Sequence, residues 1–216
     1  MSREVHRTLP GHDYHADEVW QVERERIFGR RWVYVARVDA LAEAGDCLAV
    51  EVGGEGILVV RGRDGALRGF HNVCRHRGAQ LCDEGAHRLK GAIRCPYHAW
   101  AYAHDGSLIG TPNVAEDEVP RAELSLWPVH VDTWQGFVFA CLAEQPEPLL
   151  DWLAAQEGDV LGFARFGLEA LRTGHRTVSE VGANWKILIE NYGECLHCPT
   201  VHPELVQVVP VYRSGA

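Results

Sequence analysis

No run of Lys or Arg stands out in this 216-residue sequence, whose formal charge is −9. Nucleic acid is therefore a poor partner, because binding a phosphate backbone needs a basic patch or stripe. The densest basic stretch, Arg24, Arg26, Arg30 and Arg31, alternates with Glu23 and Glu25 and reads as a solvated helix face. Long apolar runs are also missing. The longest, Phe137 to Ala143, is far too short to span a bilayer, and Met1 to Trp20 holds no apolar core of the length a signal peptide needs. A cytoplasmic protein with no membrane partner is the expectation. In such a reducing compartment the seven cysteines argue for metal ligation or burial, not disulfides. Repeats and low-complexity tracts are absent, and an apolar content of 46% with 24% charged residues suits a globular chain able to bury a sizeable core.

Ala16 to Arg31 carries Val19, Trp20, Ile27 and Phe28 at helical spacing, which predicts an amphipathic helix. From Trp32 the texture changes. Segments rich in Val, Ile, Phe and Tyr (48–52, 57–61, 67–73, 92–95, 127–131 and 136–141) alternate with the turn signals Gly53-Gly54, Asp64-Gly65 and Asp105-Gly106. A small all-β domain follows. Beyond Pro146 and Pro148 helical patterning returns, over Leu149–Leu161 and more strongly over 177–198. The expected division is a helical segment over 1–31, a β domain over 32–145 and a further domain over 146–216.

Two short motifs carry chemistry. Cys74-Arg-His76 and, after eighteen intervening residues, Cys95-Pro-Tyr-His98 each offer one cysteine and one histidine. That donor set suits a [2Fe–2S] cluster with two thiolates on one iron and two imidazoles on the other, which raises the potential above that of an all-cysteine cluster. A Cys2His2 zinc site is the alternative, but zinc frameworks usually pair like with like, a Cys arm with a His arm.

Cys74-Arg-His76-Arg-Gly and Cys95-Pro-Tyr-His98-Ala-Trp100 resemble the two cluster-binding loops of Rieske proteins. The resemblance implies an antiparallel β sandwich carrying those loops. Rieske proteins of respiratory chains add a cysteine to each loop and join the two as a disulfide. Ala79 and Tyr97 stand at those positions here, so the likeness is to the Rieske domains of oxygenases and their ferredoxins. Cys82 lacks a matching cysteine in the second loop and reads as a buried thiol.

The second motif lies in the 177–198 pattern, where Val178, Val181, Trp185, Leu188, Tyr192 and Cys195 align on one face of a single helix. Glu190, Glu194 and His197 fall on the opposite face with Asn191 at its flank. Pro199 ends the helix, and His202 follows. The bland reading is a solvent-facing stripe, but it carries no Lys or Arg between Lys186 and Arg213. Two histidines and a carboxylate make the facial triad of non-haem Fe(II) oxygenases. Asn184-Trp-Lys-Ile-Leu-Ile-Glu-Asn191-Tyr-Gly-Glu194-Cys-Leu-His197-Cys-Pro-Thr-Val-His202 is similar to the mononuclear-iron signature of Rieske non-haem iron oxygenase α subunits.

That resemblance implies an α+β protein: a Rieske domain followed by the helical start of a catalytic domain. It implies His197 and His202 as ligands of a mononuclear Fe(II), and Asn191 close to that iron. Glu194 would link a cluster histidine of one subunit to His197 of its neighbour in a homotrimer or larger oligomer. Electrons would come from NAD(P)H through a separate ferredoxin or flavin reductase, with O₂ and a small organic substrate completing the reaction. Glu194, where many members have Asp, is more similar to the branch oxidising quaternary ammonium compounds, with aromatic rings the other substrate class. The family's third iron ligand is a carboxylate far downstream. Only Glu204 follows His202 here, so the sequence reads as truncated at its C-terminus. A Rieske electron carrier without an oxygenase site is the rival reading, and it has no use for Glu194, His197 and His202.

Overall fold

The computed structural model describes residues 8–112, 114, 115, 118–156 and 158–214. Residues 1–7 and 215–216, at the ends of the expected domain ranges, lie outside it. The chain divides into two units, one formed by 22–176 and the other by 8–21 with 177–214. The two units part near residue 176.

The larger unit is built on ten strands among the described residues. β1 (Val33–Arg37), β2 (Asp46–Val52), β3 (Glu55–Arg61), β4 (Leu67–His71), β5 (Gly85–Arg88), β9 (Pro128–Trp134) and β10 (Phe137–Cys141) form an antiparallel seven-stranded sheet in the order β1-β10-β9-β4-β3-β2-β5. β6 (Ile93–Arg94), β7 (Ala101–Tyr102) and β8 (Leu108–Gly110) form a small second sheet. All six segments expected as strands are strands. β1, β5, β7 and β8 were not anticipated; the last three are short or poor in β-branched residues, whereas β1 carries Val33, Tyr34 and Val35 and was a signal passed over.

β3 explains the layering. Ile57, Leu58, Val59 and Val60 are all fully buried, so this strand is covered on both faces and reads as a continuous apolar run. Leu58 and Val60 join Cys47, Ala49 and Phe70 in a core shared with Ile93, Trp100, Tyr102 and Leu108 from the small sheet and its loops. Ile57 and Val59 enter a second core with Ala36, Val138 and Ala140. A third group, Trp32, Cys141, Leu149 and Leu153, seats helix α2 (Leu149–Ala154) against the β unit, where Trp32 Nε1 donates to the Glu147 carbonyl at 2.8 Å. Farther along, Arg37 reaches the carbonyls of Leu168 and Leu171, each at 2.9 Å. These contacts place 146–176 with the β unit.

The Asp105-Gly106 turn joins β7 to β8. Gly106 has φ +85°, and an added Cβ would collide with the Phe70 ring. Gly106→Ala combines the left-handed backbone penalty with overpacking and should destabilise the unit by about 2–5 kcal/mol, read as a lower urea midpoint at unchanged m.

Edge strand β5 is fixed to β2 by Arg88 Nε, 2.8 Å from Asp46 Oδ1, while the Glu43 N–H donates to Asp46 Oδ2 at 2.7 Å. Arg88 first, and then that N–H, hold the Asp46 carboxyl below the usual range. Because the folded value is lower than the unfolded one of about 3.9, the stability it confers is complete above that value and is lost as pH falls through the folded one. Acid unfolding monitored from pH 6 downward should therefore be less steep in Asp46→Asn.

The expected helix over 16–31 is present as α1 (Asp17–Glu23), continued by a wider turn over Arg24–Phe28 in which the Gly29 N–H bonds the Arg24 carbonyl at 2.7 Å. Its charged face is not simply solvated. Glu23 is buried, and Arg24 Nε donates to the Gly53 carbonyl at 2.8 Å. No helix among the described residues is long and apolar enough to cross a membrane.

Of the single helix expected over 177–198, only α3 (Trp185–Gly193) and the first residue of α4 (Cys198–Val201) are helical, and α5 (Pro203–Val208) follows beyond it. Residues 177–183 are not helical, because Asn184 caps α3 by accepting the Lys186 N–H at 3.1 Å. Gly193 ends it, and Glu194 is extended at φ −131°, ψ 157°. The periodicity that suggested one apolar face runs across these breaks. Val178 and Tyr192 stand exposed.

Candidate cluster and iron sites

The two cluster loops are built alike. The Cys74 N–H donates to the Ala79 carbonyl and the Cys95 N–H to the Trp100 carbonyl, both at 2.8 Å. Each cysteine carbonyl in turn accepts an N–H from four residues on, Gly78 and Ala99, both at 3.0 Å. Both of those residues are left-handed, Gly78 at φ +72° and Ala99 at φ +58°. A backbone bridge from Val73 to Gln80 closes the first loop, while the second runs from β6 to β7. Repeating one tight turn presents a cysteine and, two or three residues later, a histidine from each side.

Cys74 and Cys95 are buried and belong to the same core. Burial pushes the Cys74 thiol up, opposed by a hydrogen bond with Tyr102 Oη, 3.3 Å from Cys74 Sγ. His76 lies edge-on to His98 with ring centroids 4.7 Å apart and stacks on Trp100 at 4.6 Å. Burial, and next the proximity of His98, lowers the His76 pKa and favours the neutral imidazole, the form that ligates.

His76 Nδ1 is buried without a hydrogen-bond partner. An orphaned ring nitrogen facing a second histidine, beside a pair of buried thiols, fits a two-iron cluster with one pair of donors for each iron. Among the described residues, no group of three or more His, Cys, Asp or Glu is arranged around a single ion. Two separate pairs match the cluster better than a tetrahedral zinc site, which needs four donors around one point. Sequence reading did not assign Tyr102 or the stacking role of Trp100. The only signal was the aromatic density after the second motif.

In the other unit, Glu194, His197 and His202 come together by a route different from the expected helix face. Glu194 follows the end of α3, His197 precedes α4 and His202 precedes α5, so one helical turn separates the histidines. Their ring centroids are 5.3 Å apart. Glu194 Oε1 lies 2.7 Å from His197 Nδ1, and its other oxygen accepts the Leu196 N–H. These bonds, His197 first, hold the Glu194 carboxyl below its usual range. With Nδ1 engaged, His197 presents Nε2 as the free donor. Glu190 is drawn away, accepting the Tyr14 hydroxyl at 2.6 Å, and Asn191 is exposed in the last turn of α3.

The expectation of no disulfides needs one correction. Cys195 and Cys198 are bridged, because the turn after Gly193 brings their Cα atoms to 5.0 Å. Cys47, Cys74, Cys82, Cys95 and Cys141 are free thiols.

Residues 31–134 match the Rieske [2Fe-2S] domain, and residues 168–215 match the catalytic domain of the ring hydroxylating alpha subunit. The carnitine monooxygenase oxygenase subunit of Acinetobacter pittii (strain PHEA-2) is 37% identical over 205 residues, covering 94% of this chain and 55% of that protein. The glycine betaine monooxygenase oxygenase subunit of Chromohalobacter salexigens is 35% identical over 210 residues, covering 97% and 46%. The crystal structure of the quaternary ammonium Rieske monooxygenase CntA with gamma-butyrobetaine superimposes with a TM-score of 0.82 at 36% identity, over 91% of this chain and 56% of that one. Naphthalene 1,2-dioxygenase from Rhodococcus sp. gives 0.73 at 31% identity, over 88% and 44%. The chain thus spans about half the length of the curated relatives it matches. It belongs to the Rieske non-haem iron oxygenase α subunits, joining a Rieske [2Fe–2S] domain to a segment of the catalytic domain.

Proposed function

We propose that this chain is the electron-entry portion of an oxygenase component acting on a quaternary ammonium compound of the carnitine or betaine type. The observation that carries the iron half of the reading is the Glu194–His197 hydrogen bond beside His202, an orientation device that an electron carrier does not need. The substrate class rests on the carnitine and glycine betaine monooxygenase subunits, 37% and 35% identical to this chain.

When bound, the cluster supplies single electrons and the mononuclear iron supplies reductive activation of O₂. The chain's own residues then have distinct tasks. Cys74 and Cys95 give thiolates from a buried position, and His76 and His98 give neutral imidazoles. Glu194 would fix the His197 tautomer and leave Nε2 to bind the iron, with His202 as the second imidazole ligand. Glu194 also keeps unused lone pairs with which to accept a second imidazole from a neighbouring subunit of a trimer. Asn191 would stand near the iron. A reductase drawing on NAD(P)H is the electron source.

The test is turnover by a protein that joins this chain to the remainder of the catalytic domain, supplied with reductase, NADH and O₂. Oxygen-dependent consumption of L-carnitine, γ-butyrobetaine or glycine betaine is expected. Turnover of naphthalene with none of these would transfer the chain to the aromatic-ring class.

A further inference from the structure

The Cys195–Cys198 bridge encloses His197. It spans Leu196 and His197, so the disulfide closes the turn on which the imidazole stands, between the extended Glu194 and the first residue of α4. Backbone bonds across that turn are few. The Cys198 N–H donates to the Cys195 carbonyl at 3.1 Å, and the His197 carbonyl accepts from the Thr200 and Val201 N–H groups at 3.1 and 2.9 Å. Packing adds little, because Glu194, Leu196, Pro199 and Thr200 are exposed. A segment with so few buried contacts opens locally at small cost. The two sulfurs are unequally placed, since Cys198 is buried at 2% exposure and Cys195 is only half-buried. Neither belongs to the ligand set proposed above.

We infer that Cys195 and Cys198 are a thiol–disulfide exchange site for a low-molecular-weight thiol of the glutathione type, and that their redox state sets the orientation of His197. The external thiolate attacks the Cys195 sulfur, the more accessible of the two. The S–S bond breaks, and the Cys198 sulfur leaves and takes up the proton that the external thiol gave up. A second external thiol attacks the external sulfur of the mixed disulfide, and the Cys195 sulfur leaves with that thiol's proton. One protein disulfide is reduced to two thiols, and two external thiols are oxidised to one disulfide. The same steps in reverse restore the bridge. With the bridge closed, the turn holds His197 Nδ1 2.7 Å from Glu194 Oε1. With it open, the turn keeps only its backbone bonds, and the imidazole is no longer confined to one tautomer. The exchange step stands on the disulfide alone, whereas its consequence for iron rests on the reading of His197 as a ligand.

Trypsin isolates the pair, since the peptide 187–213 holds both cysteines and no other. The chain is equilibrated in glutathione buffers from oxidised to reduced, trapped with N-ethylmaleimide in denaturant and digested. Peptide 187–213 should pass from no label to two labels, through a glutathione adduct on Cys195. Two labels in every buffer, or none in every buffer, would overturn the inference. In the same iron-free chain, side-chain nitrogen NMR reports the His197 tautomer. The disulfide form should show Nδ1–H alone and the dithiol form a mixture, reproduced by the double variant Cys195→Ser, Cys198→Ser. Identical His197 resonances in both forms would refute the switch. Joined to the remainder of the catalytic domain, the dithiol form should bind Fe(II) about tenfold more weakly than the disulfide form. Equal affinities, lost alike in His197→Ala, would sink the switch and leave the iron site standing. No Fe(II) binding in either form, with His197 still responding to redox state, would sink the iron site and support the switch.

Discussion

Cys95→Ser should abolish cluster binding, with iron and acid-labile sulfide per chain both falling by more than about tenfold while far-UV dichroism stays the same. The loss should be large because Cys95 is buried and contributes one of only two thiolates. A serine hydroxyl does not ionise at neutral pH, so the iron that the two cysteines share loses half of its anionic donors from the protein. The fold should survive, because the second loop is held by backbone bonds from the Cys95 N–H and carbonyl that the substitution leaves intact. His98→Ala, on an exposed ring, should lose the cluster equally without touching the core. The same measurement separates iron from zinc. Wild-type protein with zinc and no inorganic sulfide, or Cys95→Ser that keeps full sulfide and visible absorbance, would contradict the cluster assignment.

The sequence was more informative about the cluster than about the iron site, and the difference is physical. Cys74, His76, Cys95 and His98 sit in two short loops whose spacing is set locally, so the motif and the geometry are nearly the same statement. The strands behind them were also legible, since β2, β3 and β10 are runs of residues that fit a doubly covered sheet. β7 and β8 were not, because two- and three-residue strands exist only through tertiary pairing, which no period reveals. The segment over 177–198 failed for the opposite reason. Its three-four period was strong, but Asn184 as a cap and Gly193 as a stop divide it, and both signals were visible and outweighed. Glu194, His197 and His202 still come together, through an extended Glu194 and the short turn of α4, while Asn191 stays on the exposed last turn of α3.

Glu194 can be tested for charge and orientation separately. Its carboxylate satisfies two donors at once, the His197 ring on Oε1 and the Leu196 N–H on Oε2. A glutamine has one carbonyl oxygen, so it can accept from one of them only and turns an NH₂ toward the other. Glu194→Gln in a protein carrying the whole catalytic domain should therefore weaken Fe(II) binding by about tenfold, and Glu194→Ala by up to about 100-fold, because the alanine variant also frees the imidazole to rotate. Cluster content should not change in either variant. Since the His197 bond holds the Glu194 carboxyl below its usual range, the residue stays ionised throughout pH 6–8. The ratio of wild-type to Gln affinity should then be flat across that window and shrink only as acid protonates the wild-type carboxylate. A ratio that already collapses between pH 8 and 6 would mean that another group titrates at the site. Equal iron affinity in all three proteins would mean that the carboxylate does not orient a ligand. His197 would then lose its place in the iron site, and with it the argument that separates this chain from an electron carrier.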